Sequence, residues 1–388
     1  MAGKPLLILT GLRLVRCSLI MGIKIYIIAI LMAGFGGLFS TVRIAMCFKR
    51  MGTQIFILTA LVLISPQANS NAEAWTFAVV GDSRGNGYTY KDGVNWKILK
   101  NIAENIKDNK CDLVVFPGDL IQGSTKHLEQ YKSWRNAMAP VLNARIPVYP
   151  VRGNHEEWGD ANGTHYKTFV NTALKIPQNG PQGPPDERSF TYSFTHKNAF
   201  FVGLDEYFHR SGKRHKINQA WLNTQLQNND RNKHPHVFVY AHTPAFKVSC
   251  SSSSTGALYD DPSVRKNLWT SLHGHGVRAY FCGHVHFYTA NMIKGYGTPE
   301  LYQICNGIGG ATLDPYEGNI DKNHVIIGKD KHGEYRNVVE AKNIGGHYGY
   351  NLVHVDGNKV RIDLMVWHNT KKYWETKKGI YKGSYTVN

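Results

Sequence analysis

Seven polar side chains follow short apolar runs in a repeated pattern: Asp82 after "FAVV", Asp119 after "LVVFPG", Asn154 and His155 after "VYPVRG", His242 after "VFVYA", and His284 and His286 after "AYFCG". Without His155, the set is two carboxylates, one amide oxygen and three imidazoles. Those donors suit zinc, manganese or iron better than calcium. Ions held this way ready water for attack and stabilise charge on the entering and leaving oxygens of a displacement. Gly81, Gly118, Gly153 and Gly283 directly precede members of the set, which permits a sharp exit from a strand and a close approach of backbone to an ion.

The runs that carry these residues alternate with helical patterns. "GVNWKILKNIAENIKDN" repeats Val94, Ile98, Ile102 and Ile106 every fourth place, with Leu99 widening the stripe. "TKHLEQYKSWRNAMAPVLN" predicts one helix with Leu128, Tyr131, Met138 and Leu142 on its buried side, and "NQAWLNTQLQNND" and "PSVRKNLWTSLHG" predict two more. "SFTYSFTHKNAFFVGLDEY" reads as a hairpin turning near His196 to Asn198, and "NLVHVDGNKVRIDLMVW" as a hairpin turning at Asp356-Gly357-Asn358. The alternation implies an α/β fold in which helices cover sheets, and ligands bind such sheets beyond the carboxyl ends of the strands. Residues 307–350 are Gly-rich and charged and give no element assignment.

The 388 residues, 42% hydrophobic and 19% charged, suffice for a full core. Of the net charge of +17 (45 bases less 28 acids), the first 74 residues carry seven bases and one acid, which leaves +11 (38 less 27) for the rest. That excess suits anionic substrates, and no dense Lys/Arg run or basic-aromatic repeat argues for nucleic acid. Residues 1–74 read as a leader with apolar runs from Ile25 and from Gly52, separated by a segment bearing Arg43, Lys49 and Arg50. The second run has the parts of a secretory signal that begins at Met46 or Met51 and is cut after Ala74. The alternative is a membrane hairpin, since the first run is about long enough to cross. Both alternatives place residues 75–388 outside the cytoplasm, exported or membrane-anchored. Beyond the leader the cysteines are Cys111, Cys250, Cys282 and Cys305, without a CxxC pair, so buried thiols are expected and a disulfide is not implied.

In order and approximate spacing, "GD" at Gly81, "GDL" at Gly118, "GNHE" at Gly153, "YAHTP" at Tyr240 and "GHVH" at Gly283 resemble the motifs of the calcineurin-like metallophosphoesterases. "GHVHFY", "QAWLNTQLQ" and "SFTYSF" before "FFVGLDEY" resemble the purple acid phosphatase-like branch. The resemblance covers roughly residues 76–313. It implies two mixed β-sheets packed face to face and flanked by helices, and a dinuclear site for Fe, Zn or Mn. By that resemblance Asp119 bridges two ions, Asp82 and His286 serve the first, and Asn154, His242 and His284 the second. His155 stands beside them to give a proton or hydrogen bond to the phosphoryl group, with Glu156 orienting it. The implied activity is hydrolysis of small phosphate monoesters by metal-activated hydroxide. The alternatives are a phosphodiesterase or nucleotidase, or a non-catalytic surface protein that binds metal and anion.

Two departures from the family pattern fall at the first ion. Most of the superfamily has Asp-x-His where this chain has Asp82-Ser83-Arg84, and the purple acid phosphatases lack that His but carry a Tyr three places after the bridging Asp, where this chain has Gln122. Arg84 has no lone pair to give, and each pair of like unit charges at about 4 Å costs roughly 4 kcal/mol at an effective dielectric of about 20. Arg84 is therefore expected to turn to a carboxylate or to the substrate phosphate, and the first site to be weaker or differently ligated. Without a tyrosinate, no purple charge-transfer colour is expected.

Overall fold

The computed structural model describes residues 73–388 apart from 88–89, 177–181, 208–214, 247–255, 294–295, 297–300, 315–324, 331–332, 340–346, 378–384 and 387–388; of residues 1–72 it describes four strands. Those strands, Arg13–Ser18, Lys24–Ile30, Thr41–Lys49 and Phe56–Leu63, pair antiparallel in sequence order and belong to a unit spanning Met1–Ser70. No helix among the described residues is long and apolar enough to cross a membrane.

Asn71–Asn388 forms the other unit, built on two mixed sheets. The first runs in the order Tyr373–Lys377, Lys359–His368, Tyr348–Asp356, Trp75–Val79, Leu113–Phe116, Val148–Pro150, with Tyr385–Thr386 added beside Lys359–His368. Its last three strands are mutually parallel. The second runs Val325–Asp330, Gly333–Val339, Tyr288–Ile293, Leu301–Asn306, Ala279–Cys282, His236–Tyr240, Ala199–Gly203, Tyr192–His196. The strands from Leu301–Asn306 to Ala199–Gly203 are parallel.

Aromatic side chains join the sheets face to face. Phe77 of the first meets Phe201, Phe238 and Phe281 of the second with ring centroids 5.2, 5.0 and 6.2 Å apart, and Tyr149 stacks on Phe194 at 3.7 Å. Edge-to-face and offset pairs of this kind add roughly 0.5–1.5 kcal/mol each beyond their buried area. Because strand side chains alternate, Val237, Val239 and Tyr280 point to the opposite face of the second sheet. There they pack with Leu222 and Leu226 of helix Gln219–Asn228 and with Leu268, Trp269 and Leu272 of helix Pro262–Gly274. A sheet buried on both faces is why these strands read as continuous apolar runs. Helices start where a side chain takes up free backbone N–H groups: Asn95 accepts from Ile98 N ahead of Trp96–Asp108, Asn218 from Trp221 N, and Asp261 from Ser263 N and Val264 N.

The hairpin expected near His196 is present as Tyr192–His196 with Ala199–Gly203, and the C-terminal one as Tyr348–Asp356 with Lys359–His368, closed by Gly357-Asn358. The single helix expected over residues 125–143 is instead two, His127–Ala137 and Ala139–Asn143. Pro140 cannot continue the first but suits the opening turn of the second. Leu128, expected on the buried side, is 51% exposed. The buried stripe runs His127, Gln130, Tyr131, Trp134 and Ala137, and one helix step of about 100° turns Leu128 out of it. Within residues 307–350, which had no assignment, Val325–Asp330 and Gly333–Val339 form a hairpin. Cys282 and Cys305 face each other in register as buried free thiols, and Cys111 is also buried and free; Cys250 lies outside the described residues.

Candidate metal centre

Five strands, three mutually parallel in the first sheet and two in the second, end at one place. Asp82, Asp119 and Asn154 follow the strands Trp75–Val79, Leu113–Phe116 and Val148–Pro150 of the first sheet, while His242, His284 and His286 follow His236–Tyr240 and Ala279–Cys282 of the second. The site therefore straddles the edge of the sandwich. The chain turns sharply to reach it: Asp82, Asp119 and His284 adopt φ of 58°, 52° and 71°, a left-handed conformation that costs a non-glycine residue roughly 1–2 kcal/mol each. Such strain persists where the surroundings over-determine it, and it gathers at functional sites. Gly153 must be glycine, because a Cβ there would overlap the Asp119 carboxylate and the His242 ring.

The side chains form two groups. In one, Asn154 Oδ1 lies 3.0 Å from His242 Nε2 and 3.0 Å from His284 Nδ1, and Asp119 Oδ1 lies 3.4 Å from His242 Nε2. His242 Nδ1 is 2.8 Å from Pro117 O. A carbonyl only accepts, so Nδ1 carries the hydrogen and Nε2 is the nitrogen that faces two oxygens. Nitrogen and oxygen atoms this close are held together by a proton or by a metal ion between them. These residues fit a metal ion, with His242 oriented through its other nitrogen as metal-binding imidazoles usually are.

In the second group, Asp82, Asp119 and His286 each offer an atom within 4.8 Å of the others. Both oxygens of Asp82 accept from His284 N at 3.0 Å. Burial, then the charge of Asp119, push the Asp82 carboxyl well above the usual carboxylate range. Burial also opposes ionisation of Asp119, but the charges of His242, His155 and Arg84 outweigh it and hold that carboxyl below its usual range. Arg84 enters this group from the side. Its Nη1 donates to Gln122 Oε1 at 3.0 Å, its Nη2 lies 3.3 Å from His286 Nε2, and its Nε lies 3.4 Å from Asp119 Oδ2, a charge contact rather than an aligned hydrogen bond. Burial and then Arg84 push the His286 imidazole down to about 3, and burial and then His242 push His284 down to about 3. This group could hold a metal ion through three donors, and a fixed cation stands against two of them.

His155 and Glu156 lie in the short helix Asn154–Glu157. Glu156 was expected to orient His155, but its carboxylate instead accepts from the backbone N–H groups of Asp119 (2.8 Å), Gly153 (2.7 Å) and Ile121 (3.1 Å). It locks the Asp119 turn to the Asn154 turn. Burial, then the charge of Asp119, push the Glu156 carboxyl up to about 8. The His155 ring is held by Gln122 O, 2.6 Å from Nδ1, which leaves Nε2 3.9 Å from Asp119 Oδ2; burial first of all lowers its pKa.

Two positioning groups escaped the sequence reading. Asp314 Oδ2 accepts from His286 N at 3.0 Å, and its Oδ1 lies 3.9 Å from His286 Nδ1; it sits in the unassigned Gly-rich stretch. Arg152 makes a bidentate, fully buried pair with Asp205 at 2.9 and 2.7 Å that pins the turn before Gly153. The "VRGNHE" and "GLDEY" segments contained both partners of that pair, but nothing local paired them.

The calcineurin-like phosphoesterase family model matches residues 76–288, more than half of the chain, and the chain belongs to that family. Within it, the chain is similar to purple acid phosphatase 23 of Arabidopsis thaliana, 25% identical over 205 residues, which are 52% of this chain and 40% of that protein. Probable inactive purple acid phosphatase 14 of Arabidopsis thaliana is 31% identical over 86 residues, 22% of this chain and 21% of its own length. The fold is shared with purple acid phosphatase PPD1 from yellow lupin (Lupinus luteus) seeds, with a TM-score of 0.57 and 15% identity over 87% of this chain and 59% of that one. The chain thus spans less than two thirds of the length of each of these relatives.

Proposed function

We propose that this chain is an exported, metal-dependent hydrolase of small phosphate monoesters. The observation that carries the reading is that Asn154 Oδ1 stands 3.0 Å from both His242 Nε2 and His284 Nδ1, with Asp119 Oδ1 3.4 Å from His242 Nε2, beyond the strand ends. Asp119, Asn154, His242 and His284 would hold an ion there. Once bound, it supplies Lewis-acid activation of water and neutralisation of phosphoryl charge.

The chain's own residues do the rest. Glu156 fixes the backbone on which Asp119 and Asn154 stand, so the donors are arranged before the ligand arrives. Gln122 O fixes the His155 ring and leaves Nε2 free to hold or release a proton beside the phosphoryl or leaving oxygen. Arg84 adds positive charge that attracts the anionic substrate. Export rests on the apolar runs and small residues before Trp75, and sequencing the mature N-terminus from secreted material tests it.

A second reading, a non-catalytic metal- and anion-binding surface protein, is favoured by one observation: Arg84 stands where the family pattern puts a ligand. Chelated protein resupplied with Mn, Zn or Fe and offered p-nitrophenyl phosphate and its bis-ester separates the readings. The hydrolase reading expects metal-dependent turnover of the monoester. Faster turnover of the bis-ester would move it to a phosphodiesterase, and turnover of neither ester with an ion bound would favour the second reading.

A further inference from the structure

We propose that the Arg84 guanidinium permanently replaces the first of the family's two ions, so that the chain binds one metal ion, held by Asp119, Asn154, His242 and His284, and completes the charge at the site with an organic cation. The inference rests on the metal-dependent reading above and goes beyond it, because it fixes how many ions the site takes and what stands in for the missing one.

Three contacts carry it. Arg84 Nη2 lies 3.3 Å from His286 Nε2, and a guanidinium has only hydrogens to offer, so it uses the lone pair with which His286 would bind an ion. Arg84 Nε stands 3.4 Å from Asp119 Oδ2, the oxygen of the bridging carboxylate that the other group leaves unused. Nη1 donates to Gln122 Oε1 at 3.0 Å, so the residue standing where the purple acid phosphatases place a tyrosine ligand anchors the arginine instead. The two departures from the family pattern are therefore in contact and explain each other. On the far side of His286, Asp314 faces Nδ1 and binds the backbone N–H, which suits an imidazole whose hydrogen is on Nδ1 and whose Nε2 accepts from Arg84.

The guanidinium is also not a side chain that swings freely into the gap. Arg84 N donates to Asp119 O at 3.2 Å, and Arg84 pairs with Val94 as an isolated antiparallel bridge, so its backbone is tied to the turn that carries Asp119. The side chain is 17% exposed. Of its five N–H groups, one each on Nη2 and Nη1 reaches His286 and Gln122, Nε stands in charge contact with Asp119, and the second N–H of each of Nη1 and Nη2 is left for the oxygens of a phosphate.

The test is metal stoichiometry on the full chain, by equilibrium dialysis against Mn(II) with elemental analysis, together with the electron paramagnetic resonance spectrum of the bound Mn(II). Wild type is expected to saturate at one ion per chain with the spectrum of an isolated ion. Arg84→His, which restores the family's Asp-x-His, is expected to take two ions with an exchange-coupled spectrum, and Arg84→Lys, which keeps a cation, is expected to stay at one. Two ions in wild type overturn the proposal whatever the variants do, and if p-nitrophenyl phosphate is still turned over the hydrolase reading survives. A folded Arg84→His that stays at one ion also overturns the proposal, since the arginine would then not be what excludes the second. No ion bound and no turnover in wild type would overturn both readings together.

Discussion

The two halves of the metal centre are built from the same kinds of residue on the same kinds of turn, yet they end in different states. Around Asn154, His242 and His284 two imidazole nitrogens face the oxygens of Asn154 and Asp119 with no Lys or Arg among them. Around Asp82 and His286 a cation is already present in the chain, on Arg84. Both halves share Asp119, whose Oδ1 faces His242 and whose Oδ2 faces Arg84. A buried carboxylate pair needs positive charge nearby; one half is left to find it in solution and the other carries it in the sequence. On the proposal above, one substituted position in a motif changes the number of ions a site takes while the fold that presents the motif stays intact.

The sharpest way to break this comparison is to empty the half that is proposed to hold the ion. His242→Ala removes a donor from it and should lower metal affinity and monoester turnover by more than about 100-fold, beyond the range of outer-shell changes. Isothermal titration with Mn(II) and the p-nitrophenyl phosphate assay measure both. An unchanged affinity would mean that the ion, if bound, sits on the Arg84 side.

A smaller effect is expected at the support common to both halves. Glu156→Gln keeps the shape but sets an amide N–H₂ against backbone N–H donors, which should cost about 1–3 kcal/mol of stability and about 10–100-fold in metal affinity. Urea denaturation with and without Mn(II) reads the two separately. A loss of turnover at unchanged affinity would return Glu156 to the role of orienting His155.

What the sequence disclosed, and what it withheld, follows the range of the forces involved. Asp82, Asp119, Asn154, His242, His284 and His286 were legible because each sits directly after a buried strand, and a strand end is a local signal. The second sheet's strands His236–Tyr240 and Ala279–Cys282 were legible for the same reason. Leu128 was misplaced because apolarity alone does not say which side of a helix faces the core when His127, Gln130 and Trp134 compete for it. The break at Met138 was signalled by Pro140 and outweighed by the run of apolar residues around it. Asp314, the partners of Glu156 and the Arg152–Asp205 pair were hidden because each depends on contacts between segments 28, 37 and 53 residues apart.

The smallest expected effect is a control that should leave both halves of the centre untouched. Asp112, ahead of Leu113–Phe116 in the first sheet, accepts from Lys197 and His196 of the second sheet's hairpin and from Thr76 N. Burial pushes its carboxyl up, but the bonds from Lys197 and Thr76 outweigh it and hold it below the usual carboxylate range. A lowered carboxylate pKa stabilises above the ordinary value of about 3.9 and stops doing so as pH falls through the lowered one. Wild type should therefore unfold at higher urea than Asp112→Asn near neutrality, by an amount that shrinks to nothing on acidification below about pH 4, with Mn(II) affinity equal in the two. A gap that persists in acid would show that the clamp is not electrostatic.

The most direct test of the central claim is anomalous X-ray diffraction from crystals of the protein soaked in Mn(II) or Zn(II). The account predicts a peak within bonding distance of Asn154 Oδ1, His242 Nε2, His284 Nδ1 and an Asp119 oxygen. Crystals saturated with metal that show no peak among those four atoms would contradict it.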